Sequence, residues 1–114
     1  MSDARLPAAL EATSIIRRAE AAGDFATVLK RGDRDRGSLL LIVTSRGAHV
    51  AVLERTLGPA GDYGWNRAQT PELSESAKLA EFLSRRARFD PDLWAIELDI
   101  ADAERFIAET TAAG

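Results

Sequence analysis

The sequence predicts a single α+β domain, residues 1–114, in which helices pack on an antiparallel meander of four or five strands. Its length fits one compact domain and leaves little room for a second. Apolar residues recur at steps of three and four in some stretches and alternate with polar residues in others. Loops rich in Gly, Asp and Pro separate these stretches, so the predicted order of elements is α-β-β-β-(β)-α-β-α.

The first helix is predicted over residues 8–22. Pro7 suits a helix start, because the backbone N–H that proline lacks has no partner in the first turn. Gly23 supplies the left-handed backbone that ends many helices. The apolar stripe of this helix consists of Ala8, Ala12, Ile15, Ile16, Ala19 and Ala22, and the charged residues from Glu11 to Glu20 are expected on its other side.

Two strands are predicted next. Residues 25–31 are rich in β-forming side chains, and the polar loop 32–37 is expected to close a hairpin onto residues 39–43. That second run is continuously apolar, which is typical of a central strand covered on both faces. Because the connections are short, these strands and the next are expected to pair antiparallel in chain order.

A third strand is predicted over residues 49–57, where alternation places Val50 and Val52 together on one face. A loop containing three glycines follows at residues 58–64. Residues 65–68 form a short fourth strand in this interpretation.

The second helix is predicted over residues 71–88, with Thr70 as its cap and Pro71 at its first position. Its buried stripe is expected to contain Leu73, Ala77, Leu79, Ala80, Phe82, Leu83 and Ala87. The sequence Asp90-Pro91-Asp92 is typical of a sharp turn. A strand over 93–100 follows, with Trp94, Ile96, Leu98 and Ile100 inward, and a terminal helix over 102–110 is predicted to use Phe106 and Ile107.

Composition excludes several classes of function. The absence of cysteine rules out disulfides, thiolate nucleophiles and Cys-ligated metals, and the single histidine, His49, rules out a poly-His metal site. A net charge of −3 and an isoelectric point near 5.2 argue against nucleic acid as a general partner. No catalytic residue, metal or cofactor is therefore predicted. Neither a signal peptide over Met1–Pro7 nor a membrane span is visible, so a cytoplasmic protein is expected.

Two groups of residues are the predicted binding candidates. Trp65 and Arg67 follow Tyr63 in a Gly-rich stretch, where an exposed aromatic pair beside an arginine would be typical of a recognition surface. Arg85, Arg86 and Arg88 lie at the end of the second helix, where they can offset the helix dipole or bind an anion.

Three segments of the chain resemble a known bacterial family. They are Ile16 to Gly23, Val28 to Asp33, and above all the string Arg88-Phe89-Asp90-Pro91-Asp92-Leu93-Trp94. On these residues the chain resembles the family catalogued as domain of unknown function 1491. The resemblance implies a short, stand-alone cytoplasmic domain and brings no assigned activity, cofactor or partner.

The favoured function is a small non-enzymatic domain that acts through an unknown protein partner or through self-association. A homodimer is predicted, because 25–31, 65–68 or 93–100 must form apolar sheet edges, with the Tyr63–Arg67 loop near the interface. One alternative is an acyl-CoA-dependent acetyltransferase-like fold that lacks the usual pyrophosphate loop, since Arg67 to Pro71 contain no glycine. A second alternative is an RNA or nucleotide binder that uses the Arg clusters.

Overall fold

The computed structural model describes residues 6–112, and the remaining residues of the predicted domain, 1–5 and 113–114, lie outside that range. The segment Met1–Pro7, in which no signal peptide is expected, lies largely outside the described residues. The described elements are α1 (Ala8–Ala21), β1 (Phe25–Lys30), β2 (Leu39–Ser45), β3 (Ala48–Leu57), β4 (Tyr63–Arg67), α2 (Ser76–Phe89), β5 (Trp94–Asp99) and α3 (Ala103–Ala112). The predicted α+β class and the predicted order of elements are both confirmed.

The five strands form one mixed sheet in the order β1-β5-β2-β3-β4. Strands β2, β3 and β4 are an antiparallel meander, as predicted. The predicted hairpin between β1 and β2 is wrong, because β5 lies between them, antiparallel to β1 and parallel to β2. The polar loop 32–37 instead passes over the start of β5, where the N–H of Trp94 donates to Ser38 O at 2.8 Å.

Strand β5 is therefore an interior strand, whereas residues 93–100 had been a candidate edge. The inward face of β5 is confirmed, since Trp94, Ile96 and Leu98 are buried on one side of the sheet. Ala95 is also buried, on the other side, together with Leu93 just before the strand. A strand with apolar residues on both faces needs cover on both faces, which only an interior position provides.

Helices α1 and α3 cover one face of the sheet. Helix α1 packs on β1 and β5, and α3 packs on β4 and β2. The start of α1 matches the prediction to within a residue, with Pro7 just before the first turn, and Gly23 after its end has a φ of +85°. The core under the two helices contains Leu39, Leu41, Val43, Leu53, Trp65, Trp94, Ile96 and Leu98.

On the other face, α2 is the only helix among residues 6–112, and with Ala68 and Leu73 it covers Leu40, Ile42, Val52, Leu93 and Ala95. It starts at Ser76 instead of residue 71, because a turn in which Glu75 N donates to Glu72 O, at 3.1 Å, precedes it. Only Leu79 on this helix is fully buried, and the predicted stripe residues Ala77 and Ala80 are exposed. The buried side is centred on Leu79, Phe82 and Leu83.

A β-bulge in β3 changes which way one of its residues faces. Val43 pairs with Ala51 but Thr44 pairs with His49, so Val50 is an extra residue in the strand. Val50 consequently packs against the core beneath α1 and α3, whereas Val52 belongs to the core beneath α2. The predicted common face for these two valines is wrong, because simple alternation does not anticipate a bulge.

Candidate functional site

Trp65, the predicted exposed aromatic, is buried. It occupies the middle of β4 on the face that α1 and α3 cover, and only 9% of its surface is accessible. Arg55 on the neighbouring strand places its guanidinium 5.5 Å from the centre of the indole ring. Tyr63 and Arg67, two residues to either side, remain exposed. The expectation of an exposed Trp65 is wrong, because its side chain lies in the core between the sheet and the two helices.

The arginines at the end of α2 do not gather around one site. Arg86 forms an ion pair with Glu54 on β3, with 3.2 Å between Nη2 and Oε1, and lies 5.9 Å from the ring of Phe82. Arg85 and Arg88 are exposed. Because α2 lies on the opposite face of the sheet from Trp65, the structure does not bring these arginines together with it.

A crevice separates α1 from α3 on the face that contains Trp65. It encloses about 380 Å³, within the range of small-molecule sites. Leu41 and Trp65 of the sheet line it together with residues of both helices and of the loops beside them: Ile15, Arg18, Ala19, Ala22, Asp24, Ile100, Phe106, Glu109 and Thr110. Its walls are mostly apolar, and its charged side chains come from the ends of the helices and from Asp24.

Two of the three charged side chains that line the crevice have hydrogen-bond partners, and the third has none among the described residues. Asp24 accepts a hydrogen bond from the N–H of Ala101 at 3.1 Å. Glu109 accepts one from Arg105 Nε at 3.0 Å. Arg18 forms no ion pair or hydrogen bond through its guanidinium with any described residue. Arg18 is exposed, and it is the one charged side chain lining the crevice that has no hydrogen-bond or ion-pair partner among residues 6–112.

A buried charge pair lies beside this crevice. Glu11 Oε2 is 3.0 Å from Arg55 Nε, but the N–H does not point at that oxygen, and Glu11 Oε1 has no donor among the described residues. Glu11 is predicted on the outer side of the helix, but this prediction is wrong, since only 9% of the residue is exposed. A signal was present, because Glu11, Ile15 and Ala19 are four residues apart and share one helix face. The small alanine side chains in the apolar stripe of α1 also indicated that room is left beside this helix.

Two of the segments that carry the family resemblance, Val28 to Asp33 and Arg88 to Trp94, meet at the start of β5. Lys30 Nζ donates to the carbonyl oxygens of Pro91 at 2.6 Å and Leu93 at 3.0 Å. The N–H of Asp33 donates to Asp92 O at 3.0 Å. These bonds hold the segment after β1 against the turn before β5, which fixes the order of the strands.

Trp94 is the centre of this junction. Its indole N–H donates to Asp33 O at 2.7 Å, and Arg31 lies 5.4 Å from the centre of its ring. The turn before it is closed by Asp90, whose carboxylate accepts the N–H of Asp92 at 3.2 Å. The contacts of these residues are architectural, so the strings that identify the chain maintain its fold.

Metal or imidazole chemistry would need a cluster of carboxylates or the single histidine, His49. No group of three His, Asp or Glu side chains within residues 6–112 is arranged to hold a metal ion. His49 Nε2 is 3.9 Å from Glu97 Oε2, which is too long for a hydrogen bond.

The free edge of β1 is the most apolar exposed strand of the sheet. Phe25, Val28 and Leu29 on this strand are exposed, and Lys30 at its end is the only charged residue in it. A bulge at Leu29 leaves Phe25 to Val28 regularly paired with β5. The outer backbone groups of β1 face no other strand of the described sheet.

The comparisons with known proteins agree with the segments that meet at β5. A family model described as a protein of unknown function, DUF1491, matches residues 6–108. The chain belongs to the DUF1491 family. The resemblance expected from the sequence is thereby confirmed. The segments that carried this resemblance include those that form the junction around Trp94 in the DUF1491 fold.

Solved structures of relatives have the same fold. The crystal structure of a DUF1491 protein from Caulobacter crescentus is 29% identical, with a TM-score of 0.75, and the match covers 87% of this chain and 92% of that one. An NMR structure of a DUF1491 protein from the same organism gives a TM-score of 0.73 at 29% identity, over 86% and 88% of the chains. The solution structure of a protein from A. tumefaciens gives 0.69 at 26% identity, over 84% and 86%. Comparison with curated proteins gave no match. Among residues 6–112, no helix has the length and apolar character that a membrane span needs.

Proposed function

We propose that this DUF1491 protein is a non-catalytic interaction domain that pairs with a second copy of itself through the free edge of β1. The observation that supports this is the exposure of three apolar side chains, Phe25, Val28 and Leu29, on an edge strand. Sheet edges of monomers usually carry charges or prolines that deter pairing, and β1 has a single lysine at its end. Cysteine is absent, which suits a cytoplasmic site of action.

The sequence of β1 is complementary to itself. In an antiparallel pair related by a twofold axis, hydrogen-bonded and non-hydrogen-bonded positions alternate, so the central residue must lie opposite its own copy. Placing Thr27 on the axis centres the exposed stretch. Within the stretch that precedes the bulge at Leu29, the facing residues are then Thr27 with Thr27 and Ala26 with Val28. Matched hydroxyls and apolar pairs are among the cross-strand combinations that stabilise sheets.

The opposite edge of the sheet is less suited to pairing. Strand β4, which contains the predicted interface segment Tyr63–Arg67, carries the charged Arg67 and a buried tryptophan. Asn66 on this strand already donates to Thr56 Oγ1 at 2.6 Å. We therefore place the homodimer contact at β1 and not at the Tyr63–Arg67 segment of β4.

A like charge at the centre of the β1 pair tests this proposal. Thr27→Lys places two ammonium groups opposite each other, while Tyr63→Lys adds the same charge to the other edge. Light scattering at micromolar concentration should give twice the 12.3 kDa chain mass for the wild type and for Tyr63→Lys, and a monomer for Thr27→Lys. A wild type that stays at 12.3 kDa on concentration, or a dimer that only Tyr63→Lys dissociates, would refute it.

The two alternative functions are less well supported. A pyrophosphate site at the start of α2 would meet the carboxylates of Glu72 and Glu75, which repel an anion. The Arg17–Arg18 pair on α1 and the arginines of α2 lie on opposite faces of the sheet, so they do not form one continuous surface for RNA.

A further inference from the structure

We infer that the crevice between α1 and α3 binds a small amphipathic molecule with a single carboxylate, whose apolar part lies on Leu41 and Trp65 and whose carboxylate meets Arg18. This site does not involve the β1 edge. Its volume of about 380 Å³ fits a short-chain organic acid and not a polymer.

The floor and walls of the crevice determine the apolar part of the ligand. Leu41 and Trp65 form its floor from the sheet, and Ile15, Ile100 and Phe106 form its sides. Apolar surface of this kind gains free energy when a ligand removes it from water. Ala19 of α1 and Ala22 just after its end leave the space that a larger side chain would fill.

The polar groups of the crevice determine the head group. Arg18 has no partner among the described residues, and a guanidinium binds a carboxylate through two parallel hydrogen bonds. Asp24 and Glu109 already accept hydrogen bonds from Ala101 and Arg105. Their negative charges disfavour a ligand with more than one negative charge, so a monoanion fits better than a phosphate.

The two tryptophans of the chain supply a further observation. The indole N–H of Trp94 donates to Asp33 O, whereas that of Trp65, which lines the crevice, has no acceptor among the described residues. A ligand oxygen in the crevice would supply one.

Octanoate is the probe that tests the inference, with octan-1-ol and octylammonium as comparison ligands. In proton–nitrogen NMR spectra, octanoate should shift the indole signal of Trp65, which lines the crevice, and leave that of Trp94 in place. The neutral alcohol should bind more weakly than octanoate, and the cation more weakly still. Equal binding of all three, or movement of the Trp94 signal alone, would overturn the inference.

Two matched pairs of variants separate the crevice from the surface of α1. Arg18→Gln should weaken octanoate binding about tenfold, the loss expected for one charge-assisted contact, and Arg17→Gln should not. Ala22→Phe should block the mouth of the crevice, while Ala21→Phe, on the outward side, should leave binding intact. If both members of either pair behave alike, the crevice is not the binding site.

Discussion

At the scale of single residues, Asp33 has a role that its full exposure conceals. Its carboxylate accepts the backbone N–H groups of Arg36 at 2.8 Å and Asp35 at 3.0 Å. Since these bonds favour the ionised form, they hold the pKa of Asp33 below its ordinary value of 3.8. The loop that Asp33 closes also supplies Arg34 O, which accepts the N–H of Ala9 at 2.8 Å in the first turn of α1.

The lowered pKa of Asp33 predicts how its contribution to stability depends on pH. Because the folded pKa is depressed, the contribution is fully present above the ordinary value of 3.8 and is lost as the pH falls through the folded value. The difference in melting temperature between wild type and Asp33→Asn should be constant near neutral pH and shrink in acid. Asp35→Asn, whose carboxylate accepts no hydrogen bond from the described residues, is the control. A difference that grows in acid would contradict the assignment.

At the scale of elements, the close contact between the loop after β1 and the turn before β5 requires a glycine, Gly37, which has no side chain. A Cβ on Gly37 would collide with the carbonyl oxygen of Asp92 and lie 2.8 Å from Trp94 Cδ1. Both neighbours are fixed, because Asp92 belongs to the turn and the Trp94 ring is hydrogen-bonded. An added methyl group therefore has to displace one segment from the other.

Gly37→Ala should consequently destabilise the protein by about 1–3 kcal/mol, the usual cost of overpacking a close contact. Denaturant unfolding followed by tryptophan fluorescence measures this, since Trp94 reports on the contact directly. Gly58→Ala is the matched control, because its Cβ would come no closer than 3.3 Å, to Asp62 O. Equal stability of the two variants would show that the loop moves freely away from β5.

The same contact explains why the sequence predicted the elements but not the order of the strands. Local patterns were sufficient for α1, for the alternation of β5 and for the buried run of β2. The position of β5 between β1 and β2 depends on bonds such as Lys30 to Pro91 and Asp33 to Asp92, which join residues far apart in the chain. A short polar loop is equally compatible with a hairpin. The order of the strands along the chain therefore predicted β2 as the neighbour of β1, whereas the neighbour is β5.

The candidate sites were predicted less well for a related reason. Trp65 was identified as notable from its neighbours, but its burial follows from the pairing of β4 with β3 and from the cover that α3 provides. The crevice depends on the spacing between two helices at opposite ends of the chain. No local pattern in the sequence specifies that spacing.

At the scale of the whole molecule, the two faces of the sheet are covered unequally. Helices α1 and α2 have 14 residues each, yet α1 buries Ala8, Glu11, Ala12, Ile15 and Ala19, whereas α2 buries only Leu79. The central strand β2 is buried on both faces from Leu39 to Thr44. Burial of apolar area supplies most of the stability of a domain, so α2 has the weakest attachment of these elements.

Native-state hydrogen exchange should therefore rank the elements by their burial. Amides of β2 and β5 should exchange only through global unfolding, and those of α1 should approach that limit. Amides in the interior of α2 should exchange through a local opening of lower free energy, because detaching this helix exposes little apolar surface beyond Leu79, Phe82 and Leu83. The equal length of α1 and α2 removes helix length as an explanation. Protection of α2 equal to that of β2 would mean that the Arg86–Glu54 ion pair and the half-buried side chains attach the helix as firmly as the core holds the sheet.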